Sequence, residues 1–147
     1  MFNKHRFGIP GSLALFAIVS LGVSLSRPVM SPVELEQKRL QTADDLESLR
    51  IGIKHYMETM HTPPAELSDL WVKGSQPDFA FDPVHNVGAG WIGPYITDDI
   101  AEHLNRRNED RFGRLLRYAY SPFIRIQSAG ADGVFDNTDD LICDVMP

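Results

Sequence analysis

Hydrophobic and polar positions change their rhythm three times along the 147-residue chain, and each rhythm predicts a different element. The first stretch has no period. From Phe7 to Leu25 no residue is charged, and the strictly apolar part, Leu13 to Leu25, is broken only by Ser20, Gly22 and Ser24. As helix, such a run rises about 28 Å, close to the hydrocarbon thickness of a bilayer. Following Lys4, His5 and Arg6, it predicts either a membrane span or a secretory signal cut after Ser26. In both cases the basic cluster stays cytoplasmic and the remaining chain is delivered across the membrane.

The second rhythm is helical. Leu46, Leu49, Ile53, Tyr56, Met57 and Met60 recur at steps of three and four, while Asp44, Glu47, Arg50 and Lys54 take the other side. Ser31, Pro32 and Glu34 supply an N-cap, a proline at the first helical position and the return arm of a capping box. The helix is expected from Ser31 to about Met60, where Thr62, Pro63 and Pro64 stop it. The third rhythm is alternation. Leu115 to Ser121 and Phe123 to Ser128 read as an antiparallel pair joined tightly at Ser121 and Pro122, with Leu141 to Val145 as a third strand. Between the helix and the strands, residues 75–93 are rich in Gly, Pro, Asn and Asp and predict a long irregular loop. A short helix around Glu66 to Val72 precedes it, and a helical turn near Ile100 to Asn105 follows. Three strands bury little by themselves, so the sheet must pack on the long helix. The expected class is α+β, one long helix on a small antiparallel sheet, organised as 1–27 leader and membrane or signal segment, 28–62 exposed helix, and 63–147 C-terminal domain.

Composition narrows the setting. A formal net charge of −6 argues against nucleic acid as the main partner. The single cysteine, Cys143, excludes an internal disulfide and reads as an apolar neighbour in a strand, with a reactive thiol as the other reading. His55, His61, His85 and His103 fall in no metal or nucleophile motif, and Asp98 with Asp99 reads as a helix-capping pair before Ile100. No enzyme is expected.

The strongest chemical signal is Ser128 to Ile142, SAGADGVFDNTDDLI, which carries Asp132, Asp136, Asp139 and Asp140 with no basic residue among them. Carboxylates crowded in this way repel one another unless something positive intervenes. Calcium accepts six to eight oxygens in flexible geometry and is one answer. A solvated loop of Asx turns is the other. An EF-hand is excluded, because counting from Asp136 puts Leu141 where that loop requires glycine. A further segment, Trp91 to Tyr95, reads either as a rigid turn packing the long loop on the sheet or as a contact surface for an adjacent subunit.

The order long N-terminal helix, TPPAEL, GWIGPYI, EDRFGRLLRYAYSP, SAGADGVFDNTDDLI resembles the C-terminal domain of the major pseudopilin of type II secretion systems, relatives of type IV pilins. The resemblance covers roughly Asp45 to Ile142. Trp91, Gly93, Pro94 and Tyr95 match its first motif; Asp110, Gly113, Tyr118 and Tyr120 match the second, with Arg111 and Phe112 where proline and tryptophan are usual. Ser128, Gly130, Asp132, Gly133, Asp139 and Asp140 match the third. The resemblance implies a pilin-like fold and a structural calcium site made by Asp132, Asp139 and Asp140 with backbone carbonyls near Ala129 and Val134. Asp136 would then be exposed. It also implies leader cleavage between Gly8 and Ile9, other pseudopilin subunits and inner-membrane secretion components as partners, and a single inner-membrane pass with the C-terminal domain in the periplasm. Leu13 stands where the family carries the glutamate tied to subunit assembly. A membrane-anchored or secreted calcium-binding module that does not polymerise is therefore the alternative expectation.

Overall fold

A computed structural model of the protein describes residues 30–120 and 122–145. The apolar run, with Gly8, Ile9 and Leu13, lies outside the described residues. Among the described residues no helix is long and apolar enough to cross a membrane.

Helix α1 runs over Pro32–Met60. Ser31 accepts from the Glu34 amide at 3.2 Å, and the Glu34 carboxylate accepts from the Ser31 amide at 2.8 Å, closing the expected box. His61 ends the helix in left-handed geometry, φ 57°, with its amide on the Met57 carbonyl. The helix is about 43 Å long. Its first turns are almost wholly exposed, and the buried face begins at Thr42. From there Leu46, Leu49, Ile53 and Tyr56 are buried, as their spacing requires. Each such side chain contributes about 1.5–3 kcal/mol by leaving water. They pack with Leu67 and Leu70 of a 3-10 helix (Leu67–Leu70), with Ile96, and with Ile124, Ile126 and Val145 of the main sheet.

That sheet has the order β3-β4-β5, antiparallel throughout, from Arg117–Ala119, Ile124–Ser128 and Leu141–Val145. The chain is therefore α+β, with one long helix on a small antiparallel sheet. The first two strands are shorter than their alternation suggested, because β3 pairs over three residues, Arg117 opposite Gln127 to Ala119 opposite Arg125. The pairing of β4 with β5 spans five, ending with Ser128 opposite Leu141, so the aspartate loop springs from a closed pair of strands.

Three local readings need correction. The segment expected to be irregular holds a hairpin, β1 (Ala80–Asp82) with β2 (Val87–Ala89), turned by Asp82, whose Oδ1 accepts from the amides of Val84 and His85. Its strands are too short for alternation to register. The helix placed over Glu66 to Val72 is the single 3-10 turn already described, held by Asp69 Oδ2 on the amides of Ala65 and Glu66. The turn placed near Ile100 is a ten-residue helix, α2 (Asp98–Arg107). Thr97 is its N-cap, and Asp98 with Asp99 occupies the first turn. The Thr97 hydroxyl holds the Asp99 carboxyl below its ordinary range.

Candidate functional site

The loop joining β4 to β5 hangs from a buried polar knot that the spacing of its aspartates does not reveal. Asp110, 3 % exposed, accepts from the amides of Phe112 and Arg114 at 2.9 Å through Oδ1 and from the Ser128 hydroxyl through Oδ2. Ser128 Oγ in turn accepts from the Gly130 amide at 3.1 Å. Gly113, at φ 74°, makes the tight turn that lets Asp110 reach these amides. The neighbouring Arg111 ties the same turn to α1. Its guanidinium forks onto Asp45 at 2.6 and 2.8 Å, its amide donates to Thr42 Oγ1, and its carbonyl accepts from Lys38 Nζ. Proline, usual here in the resembling family, has no amide for Thr42.

Within the loop the four aspartates divide into distinct roles. Asp132 Oδ1 accepts from the Val134 amide at 2.7 Å and Oδ2 from Asn137 Nδ2 at 2.8 Å, an Asx turn with a brace. Asp139 Oδ2 accepts from the Asp132 amide at 3.2 Å. It presses so closely on Gly130, φ 60°, that a Cβ there would sit 2.5 Å from the carboxylate. Asp140 Oδ2 accepts from Gln127 Nε2 and from the Asp136 amide, both at 2.6 Å. The Ala129 carbonyl accepts from the Gly133 amide, and Val134 presents an exposed side chain.

Positive charge reaches the loop from outside it. Arg117 of β3 pairs with Asp136 at 3.3 Å and stacks on Phe135 at 3.9 Å. Arg114 packs on Gly133 and donates to the Ala131 carbonyl. A loop without a basic residue of its own is thus partly neutralised by the strand pairing next to it. Asp136 is exposed but not alone: Gln127 first, then Arg117, holds its carboxyl below the ordinary range.

Calcium fits this loop in chemistry more than in arrangement. The donors are hard oxygens, and Asp140 Oδ1 is buried with no hydrogen-bond partner. Among the described residues, however, no three His, Cys, Asp or Glu side chains gather as a metal-holding group. Each oxygen of Asp132 accepts one bond, from Val134 and from Asn137.

The remaining candidates are dispersed. Trp91 Nε1 donates to the Asp69 carbonyl at 3.2 Å, and its ring meets Tyr95 edge-on at 5.9 Å. The Tyr95 hydroxyl joins Thr59 Oγ1 at 2.7 Å and accepts from the Ile92 amide, so both aromatics spend their polar atoms within the chain. Beside them a groove of about 370 Å³ is lined by His55, Glu58, Thr59, Ile92, Pro94 and Tyr95. His61 caps α1, His85 bonds Asp82 in the hairpin turn, and His103 lies on α2, so the histidines do not converge. Burial pushes the Cys143 thiol up, away from the reactive thiolate. Comparisons of the chain with protein-family models, with characterised proteins and with solved structures find no match.

Proposed function

We propose that the protein is a pilin-like structural subunit of a type II secretion or type IV pilus-like apparatus, anchored by its apolar N-terminal run and displaying residues 28–147 in the periplasm. The observation that carries this reading is the capped 29-residue α1, whose first turns project beyond the body and whose second half lies on the β3-β4-β5 sheet. In this reading the apolar run that precedes α1 in the sequence supplies the anchor. Its partners are other pseudopilin subunits and inner-membrane secretion components, and its role is assembly without catalysis.

In this reading calcium is held by Asp132, Asp139 and Asp140 with carbonyls near Ala129 and Val134, and it reinforces the loop between β4 and β5. Support comes from the partnerless Asp140 Oδ1. Asp132 can keep its bonds to Val134 and Asn137 and still offer a lone pair on each oxygen. Leu13 favours a second reading, in which the same anchored domain does not polymerise.

The test is the mature N-terminus of the full chain made in cells that contain a prepilin peptidase. Mass spectrometry is expected to find Ile9, methylated; an intact Met1 or a start at Arg27 overturns the processing. In the same membranes a cross-linked ladder identifies a polymerising subunit, and a single band identifies the non-polymerising module.

A further inference from the structure

We infer that the free edge of β1 is a self-pairing strand, which joins a second copy of this chain antiparallel about Ala80. The β1–β2 hairpin is only two strands wide, and such a hairpin is marginal in water unless something completes it. One edge is already held. The Gly90 amide donates to the Thr59 carbonyl at 3.0 Å, and His61 Nε2 lies 3.2 Å from the Gly88 carbonyl, so the end of α1 covers the β2 side. On the β1 side, Asp78 to Phe81 are all exposed, and among the described residues no strand but β2 pairs with β1. Phe79 and Phe81 stand 46 % and 57 % exposed, a costly display for two phenylalanines on an open edge.

The occupant is written in the residues. Asp78-Phe79-Ala80-Phe81-Asp82 reads the same in both directions. A two-fold contact needs a surface complementary to itself, and an antiparallel pairing of a palindrome supplies one: Phe79 opposes Phe81 of the second copy, and Phe81 opposes its Phe79. Because side chains alternate across a strand, all four rings fall on one face. Cross-strand aromatic pairs stabilise such a register. Gly88 leaves room for them on β2, since a Cβ there would come within 2.5 Å of the Phe79 ring.

The same register sets Asp78 against Asp82 of the second copy, and like charges directly opposed oppose pairing. Each carboxylate already has a partner in its own chain. Lys73 pairs with Asp78, and His85 Nδ1 lies 2.6 Å from Asp82 Oδ2. The edge is therefore partly neutralised, by Lys73 at Asp78, and apolar at its centre. This contact does not depend on the secretion reading, since it belongs to the hairpin, about 43 Å along α1 from the anchored end.

The experiment uses the full chain with Cys143→Ser, so that each variant carries one thiol. Opposed positions of an antiparallel pair lie about 4.5–5.5 Å apart at Cα, within reach of a short bismaleimide. Ala80→Cys should give a covalent dimer at least ten times faster than Val84→Cys, which is exposed but off the axis. Mixing Phe79→Cys with Phe81→Cys should cross-link faster than either variant alone, because positions 79 and 81 are directly opposed whereas like positions meet only on the diagonal, about 7–8 Å apart. Phe81→Lys should abolish the Ala80→Cys cross-link without moving the melting temperature. Equal cross-linking at positions 80 and 84, or a position-80 dimer that survives Phe81→Lys, overturns the pairing.

Discussion

Asp45→Ala removes a carboxylate that does more for the domain than any surface charge on the same helix. Its two bonds to Arg111 bridge α1 to the turn that carries Asp110, a separation of 66 residues in sequence. Cutting one partner of a fully buried ion pair costs about 3–5 kcal/mol, whereas an exposed pair contributes about 0–1 kcal/mol. The side chain of Asp45 is 11 % exposed and that of Arg111 is 30 %, so water recovers part of the loss on the arginine side. The expected cost is about 2–3 kcal/mol. At roughly 4 °C per kcal/mol for a domain of this size, the midpoint falls by about 8–12 °C. Thermal unfolding followed by far-ultraviolet circular dichroism, on the two single variants Asp45→Ala and Arg111→Ala and on their double, measures both the loss and the coupling. The bonds from Thr42 and Lys38 reach the backbone of Arg111 and survive in every variant. The double variant should therefore be little worse than Asp45→Ala alone. A fall below about 2 °C, or single losses that simply add, refutes a clamp at this site.

Three further outcomes follow from the packing and the charges. Gly52→Ala places a methyl 2.7 Å from Ile96 Cγ2 and 2.9 Å from the Tyr95 carbonyl. Overpacking costs about 1–3 kcal/mol and exceeds the helix gain of about 0.5–1 kcal/mol, so the melting temperature should drop; a rise would refute the close approach. The hydrogen bonds and charge of Arg125 hold the Asp144 carboxyl below its ordinary 3.8. A depressed carboxyl contributes stability that is complete above the unfolded value and is lost as the pH falls through the native value. Asp144→Asn should accordingly flatten the acid limb of a stability–pH curve below 3.8 and leave its shape at neutral pH unchanged. Saturating calcium should raise the melting temperature of the full chain by several degrees and do nothing for Asp132→Ala, with chelated and loaded samples of the unaltered protein as the check.

Elements that announce themselves by local chemistry were legible, and those held by distant pairing were not. The capping box at Ser31, the stripe through Leu49 and Ile53, and the final strand at Leu141 each state their structure within a few residues of themselves. The hairpin was hidden because three-residue strands are shorter than the window in which alternation can be told from chance. The neutralisation of the aspartate loop was hidden for a different reason. Arg117 meets Asp136 only once β3 has paired with β4, and nothing near Asp136 in the chain carries a positive charge. Asp110 stands out only as a motif match, and its bonding role could have been found, since Asp-x-x-Gly is the pattern of a carboxylate bonding its own turn with a glycine in left-handed geometry. Arg111 could not, because its partner lies on the opposite layer.

These two kinds of contact meet at Ser128, and the meeting fixes how the loop responds to its surroundings. Ser128 lies under the Gly130 amide, beside Asp110, and opposite Leu141 in the sheet. Asp110 is one residue from Arg111 and so one link from α1. Ser128, Asp110 and the Arg111–Asp45 bridge thus form a route from the mouth of the aspartate loop to the long helix that does not cross the apolar core. Spatial continuity alone does not establish such coupling, so it has to be measured. If it operates, Ser128→Ala should lower the protection of α1 amides near Asp45 against hydrogen exchange as well as that of the loop. Loss confined to residues 128–140 would mean that the knot anchors the loop alone.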